Sequence, residues 1–313
     1  MCAYKLCKMA YKRFKMKDFV VSNLVMESSR IQKIREVSND SDIYSEEKGK
    51  YADIYRLKIN SAQDEEEYGC RQGRYITFYT ENICKMEICS MKAVASMIAQ
   101  EILTLIKEEY PCKRMNELSI VVAGIGNRDI TADAIGPKTA EKINVTRHVK
   151  LVDPQGFIRL GVCSVAAVVC GVMGNTGIET LEILQGTVSQ IAPDAIIAID
   201  ALSAREYSRL ASTVQISNAG ISPGAGIGNR RCAIDRQTLG VPVIAIGVPT
   251  VVSAATVICN ALEACGYDSP NEKMKQMLEK NKQFFMAPKE CDIITKRASE
   301  LLALAIEQAF LGI

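Results

Sequence analysis

Two aspartates, each at the end of an apolar run, are the residues in this chain best suited to do chemistry. They are Asp133 in SIVVAGIGNRDITADAIGP (residues 119–137) and Asp200 in AIIAID (195–200). Carboxylates brought face to face divide their roles, one holding a proton while the other stays ionised. Such a pair can deprotonate a water and protonate a leaving amine, the two proton transfers that peptide-bond hydrolysis needs. Each aspartate also has a structural alternative: Asp133 stabilising a helix N-terminus, and Asp200 capping the turn after its strand.

The elements that would position the pair follow from pattern. Ile120, Val121, Val122 and Ala123 form an unbroken apolar run, as expected of a strand covered on both faces of a parallel sheet. Gly124 and Gly126 let the chain turn sharply at that strand's carboxyl end, where open α/β sheets collect ligands. Thr131 is placed to cap a helix starting near Asp133. Residues 195–199 read as a second buried strand ending in Asp200, and 241–246 as a third ending at Gly247, Val248, Pro249 and Thr250. The carboxyl ends of parallel strands share one edge, so the two aspartates face each other if their strands are neighbours.

Other side chains are weighed against plainer roles. Asn127 shapes the turn, and its amide is a candidate donor to a substrate carbonyl. His148, the only histidine, follows Arg147 in a polar stretch and is read as structural or substrate-contacting before catalytic. Arg205 and Arg230 are candidates to hold acidic groups of a substrate. Asp129 is taken as solvent-facing, and Glu179, three residues after Thr176, as part of a capping box. The glycines at 224, 226 and 228 have the spacing of a phosphate-binding turn, but the loop lacks the lysine of a P-loop.

The chain has 313 residues, 48% hydrophobic and 24% charged, with a formal net charge of +2, which points to neither nucleic acid nor a membrane surface. No run of about 18 apolar residues occurs, so a transmembrane helix is not expected. The twelve cysteines are scattered and often sit in apolar runs, which reads as reduced thiols in a cytoplasmic protein. No cysteine or histidine pairs stand at zinc-finger spacing. The spacing of Val94, Met97, Ile98, Ile102, Leu105 and Ile106 predicts a helix over 91–106, and an amphipathic helix is expected over 289–310. Alternating strand and helix patterns predict an α/β fold: a mostly parallel central sheet with helices on both faces, plus N-terminal additions. The first 17 residues carry Lys5, Lys8, Lys12, Arg13, Lys15 and Lys17 with no acidic residue and read as a solvated tail rather than a nucleic-acid arm or a targeting peptide.

Several blocks in order, AGIGNRDITADAIGP, VTRH (145–148), GVMGNTGIET (171–180), IAIDALSAR (197–205), TVQISNAGISPGAGIGNRR (213–231), LGVPVIAIGVPTVV (239–252) and APKECDIITKRA (287–298), closely resemble the germination protease family of spore-forming bacteria. GRYIT (73–77) and NLVMES (23–28) are weaker echoes. The resemblance implies an aspartic-type endopeptidase that degrades small acid-soluble spore proteins in the spore core, with Asp133 and Asp200 as the catalytic pair. It further implies no required metal, a homotetramer, and a precursor that loses a short N-terminal segment. The resulting division is a prosegment over 1–23, an N-terminal region over 24–113 packed on the core, and a catalytic core over 114–313. The family's fold is similar to that of hydrogenase-maturation endopeptidases, which makes a metal-dependent site using Asp133, Asp200 and His148 one alternative. A non-catalytic binding homologue is the other. Departures from the family pattern are Ala132 for a proline, Cys170 for a proline, Asn218-Ala219 for Asp-Thr, and Asn23 for the acid of the processing region.

Overall fold

The computed structural model describes residues 19–28, 30–31, 43–224, 232–267, 269–281 and 283–313. Its centre is one nine-stranded sheet: β1 (Tyr44–Glu47), β2 (Ala52–Ile59), β3 (Gly73–Thr80), β4 (Ser119–Ile125), β5 (Ser164–Gly171), β6 (Ala195–Ala204), β7 (Thr213–Ser217), β8 (Val243–Ser253) and β9 (Phe285–Met286). The order is β1-β2-β3-β7-β8-β6-β4-β5, with β9 beside β8. β8, β6, β4 and β5 run parallel to one another and form the predicted core. The N-terminal strands continue that sheet as an antiparallel wing, attached through β3–β7 and β7–β8, so the sheet as a whole is mixed.

Alternation along the strands decides what each face meets. Ile120, Val122, Ile197, Ile199, Ile244 and Ile246 share a buried cluster with Ile98 and Ile102 of the helix Ile88–Glu109 and with Leu301 and Leu302 of the helix Cys291–Phe310. Val121, Ala123, Ile196 and Ala198 point the other way, onto Leu184 of the helix Thr180–Ile191. Both faces of the parallel strands are therefore covered, the reason these runs carry no polar residue. Each fully buried aliphatic side chain contributes roughly 2 kcal/mol through removal from water. The helix predicted over 91–106 runs from Ile88 to Glu109, about a turn further at each end. By length and composition it could cross a bilayer, yet its apolar stripe is spent on this core.

One glycine fixes how the site is assembled. A Cβ on Gly136 would lie 2.3 Å from the carbonyl oxygens of both Ile125 and Ile199. Only glycine lets the helix Ile135–Ala140 begin pressed against the carboxyl ends of β4 and β6.

The expected prosegment falls partly outside the described residues. Residues 19–23 are built into the fold: Phe19 is buried with Ala255, Cys259 and Leu278, and Val21 N–H donates to Thr256 Oγ1 at 3.0 Å. Leu24 is buried with Leu202, Ala204 and Val252.

Candidate active site

β4 delivers Asp133 through a turn that its sequence makes possible. Gly126 takes φ +118°, a conformation that L side chains rarely adopt, and an added Cβ would meet the Asp133 carbonyl at 2.1 Å. The chain then closes a short 3-10 turn, Thr131–Asp133, with Asp133 N–H donating to Ile130 O at 2.8 Å. Asn127 N–H donates to Asp133 Oδ2 at 2.6 Å, a hydrogen bond that favours the ionised carboxylate. Thr131 does not cap a helix: the residue at the cap of Ile135–Ala140 is Ala134, and Thr131 is held inside the preceding turn. A local backbone N–H, and not the predicted Thr131-capped helix start, is what meets this carboxylate.

β6 carries Asp200, and here the sequence boundary was too early. The strand continues to Ala204, and β8 continues with it to Ser253. β4 stops pairing at Gly124 opposite Ile199, so Asp200 is the first residue of β6 to outrun its β4 neighbour. It remains paired to β8, opposite Gly247, and is only 6% exposed. Its Oδ1 accepts the N–H of Ala201 at 2.9 Å.

These two placements bring Asp133 and Asp200 to the wall of one cavity of about 300 Å³, shared with Ala132, Ser203, Thr250 and Asn23. Most of that lining is apolar or small, which suits an extended peptide and lowers the local dielectric around the carboxylates. Asn23 was not expected there. Its N–H donates to Ser203 O at 2.9 Å, its Oδ1 accepts from Ser203 N–H and Oγ–H at 2.9 and 2.8 Å, and its carbonyl accepts from Gln215 Nε2 at 3.1 Å. In the sequence Asn23 stands out only as a departure from the acid of the family's processing region, and nothing there points to Ser203.

The remaining candidates scatter. Asn127 uses its side-chain oxygen locally, accepting from Asp129 N–H at 3.0 Å and Asn175 Nδ2 at 3.2 Å; Asp129 is exposed. Arg205 lies one cleft away, sharing a space of about 560 Å³ with Asn23, Glu27, Arg30 and Arg71. Its guanidinium pairs with Glu263 at 2.7 Å and with Asn260. Its backbone N–H donates to the buried Glu27, which also accepts from Glu206 N–H at 3.0 Å. His148 is exposed on the short helix Arg147–Val152, which joins the sheet at the amino end of β5 through Thr146 N–H to Val165 O. Because β5 and β4 are parallel from Ser164 and Ser119, that end is opposite the aspartates. Arg230 lies outside the described residues, as do the glycines at 226 and 228. Glu179 is itself the residue before the helix Thr180–Ile191, and its N–H donates to Glu182 at 2.9 Å, so the capping pair begins three residues later than predicted.

Burial pushes the thiols of Cys163 and Cys170, both on or beside β5, up to about 12. Neither supplies a thiolate at neutral pH. Among the described residues no group of three or more His, Cys, Asp or Glu side chains comes together as a metal-binding cluster.

An α/β sheet with two carboxylates in one cavity past the ends of adjacent parallel strands is the arrangement in which open α/β enzymes place their active sites, with groups suited to general acid–base chemistry. The family model for germination protease matches residues 20–276. A germination protease of Caldanaerobacter subterraneus subsp. tengcongensis is 37% identical, covering 92% of this chain and 93% of that relative. One from Clostridium acetobutylicum is 39% identical over 80% of this chain and 73% of its own length. Another from Priestia megaterium is 41% identical over 66% and 56%. The chain belongs to the germination protease family and is a peptidase.

Proposed function

We propose that this chain is an aspartic-type endopeptidase that hydrolyses small acid-soluble spore proteins in the spore cytoplasm during germination. The observation that carries the mechanism is the placement of Asp133 and Asp200 on one cavity wall. The ionised member of the pair takes a proton from water, and the resulting hydroxide adds to the scissile carbonyl carbon. The protonated member then donates to the amine as the C–N bond breaks. Carboxylates working as a pair would titrate as a pair, so the pH–rate profile is expected to report both together. An extended substrate would enter along the end of β6 beyond β4, where Asn23 holds the Ser203 N–H and carbonyl in this chain.

Synthesis as a precursor is supported by Asn23, which forms part of the cavity wall, so a cut beside it alters the site directly. Assembly as a homotetramer is supported by exposed apolar side chains on two short helices at the β5 edge, among them Leu151, Val152 and Leu160.

The test incubates the full chain and a chain starting at Leu24 with small acid-soluble spore protein, with and without chelator, and reads products by mass spectrometry. Asp133→Asn and Asp200→Asn are each expected to lower kcat by about 10²–10⁴-fold. Normal rates in both variants would refute the two-aspartate mechanism. Loss of activity to chelator, restored by added metal, would move the site to a metal-dependent peptidase.

A further inference from the structure

β8 contains one residue more than its partner at the site. Leu202 of β6 pairs with Pro249 and Ser203 pairs with Val251, so Thr250 has no counterpart across the ladder. Such a bulge re-aims a side chain and reverses which face the following residues occupy. The reversal is visible in the packing: Val248 belongs to the cluster under the helices Ile88–Glu109 and Cys291–Phe310, whereas Val252 packs with Leu24, Leu202 and Ala204. Thr250 stands at the switch, fully buried and on the cavity wall.

Its hydroxyl donates to the carbonyl of Ala132 at 2.6 Å. From a different direction Thr295, also fully buried in the helix Cys291–Phe310, donates to the carbonyl of Thr131 at 2.8 Å. The two carbonyls are consecutive, and both lie in the 3-10 turn whose third residue is Asp133. A three-residue turn has little hydrogen bonding of its own. Here it has the Asp133 N–H to Ile130 O bond at 2.8 Å and a long one, Ala134 N–H to Thr131 O at 3.4 Å. Ala132 leaves φ free where a proline would fix it. The turn's orientation therefore depends on what grips it from outside.

We infer that Thr250 and Thr295 are positioning residues for Asp133, the bulge in β8 existing to aim one of the two hydroxyls that clamp its turn. Neither side chain touches the reacting atoms in this assignment; each acts by holding the Ala132 and Thr131 carbonyls, and so the carboxylate, against the cavity. The inference rests on the two-aspartate reading of the site.

The test compares Thr250→Val, Thr250→Ser, Thr295→Val and Asp133→Asn in the full peptidase, with folding checked by circular dichroism. Valine keeps the shape and removes the donor; serine keeps the donor. Thr250→Val is expected to lower kcat by about 10–100-fold with KM within about twofold, and to displace the acid limb of the pH–rate profile. Thr250→Ser is expected to recover most of the rate, and Thr295→Val to show the same kcat-selective loss to a smaller degree. Folded Thr250→Val and Thr295→Val proteins with parental kcat and pH profile would overturn the inference. Equal losses in Thr250→Val and Thr250→Ser would also overturn it, since any disturbance of packing at this position, and not loss of the hydroxyl donor in particular, would then be responsible. If Thr250→Val does not fold, Thr295→Val and Thr250→Ser carry the same decision. Asp133→Asn separates the two levels: activity retained there removes the two-aspartate reading itself, whereas an inactive Asp133→Asn beside a normal Thr250→Val removes only the clamp.

Discussion

Asp133 owes its position to neighbours that have almost no side chain. Gly126 supplies the positive φ that returns the chain toward the strand end, and the N–H of Asn127 then meets the carboxylate at 2.6 Å. At Gly136 an added methyl would strike the backbone carbonyls of two neighbouring strands at once, and these cannot swing aside. Gly136→Ala is accordingly expected to lose roughly 2–3 kcal/mol of stability and most of its activity. Thermal unfolding and a peptide-cleavage assay check this; a variant matching the parent in both would show that β4 and β6 can part without harm.

At the scale of elements, unequal strand lengths make the site. β4 has seven residues, while β6 has ten and β8 has eleven. β6 and β8 therefore run on together past the end of β4, and the step between them is where Asp200 stands. β5, on the other side of β4, makes a different contribution through its buried thiols. Cys163 and Cys170 have values raised by burial from 9.0 to about 12 in the folded chain. A group held in its protonated form this way stabilises fully below the unfolded value near 9, and that stability is lost as pH rises through the folded value. Raising pH from about 8 to about 10.5 should therefore weaken the parent more than a Cys163→Ala/Cys170→Ala protein, by roughly 2–4 kcal/mol. Denaturant melts at the two pH values measure the difference. Parallel losses in both proteins would mean the thiols ionise freely while folded.

Across the whole molecule, the sheet connects the N-terminal wing to the aspartates without interruption. One transverse row runs Tyr55, Thr77, Gln215, Gly247, Asp200 through four successive pairings. Gln215 in that row also holds the N-terminal segment, accepting Val25 N–H at 2.8 Å and donating to Asn23 O. With Phe19 buried and Asn23 bonded to Ser203, this segment is part of the fold's stability. A chain starting at Leu24 should be less stable than the full chain by about 2–4 kcal/mol, the sum of one buried aromatic and several hydrogen bonds. Equal denaturation midpoints would show that the segment 19–23 rests on the surface without holding it.

Much was legible in the sequence because it depends on local regularities. Apolar runs at 120–123 and 195–199 and the helical stripe from Val94 to Ile106 can be satisfied only by covered strands and a core helix, and the glycines around residue 125 require a turn. These placed both aspartates near the carboxyl ends of two strands and made the α/β class evident. What the sequence could not contain was pairing: that β4 and β6 are neighbours, that β8 bulges at Thr250, that Asn23 reaches Ser203, and that His148 lies at the opposite end of the sheet. Each is a relation between residues distant in the chain, chosen by the packing of whole elements, and leaves no periodicity at the positions concerned. The chemistry available to this protein was written in its residue types; which of those residues share a cavity was decided by the tertiary structure.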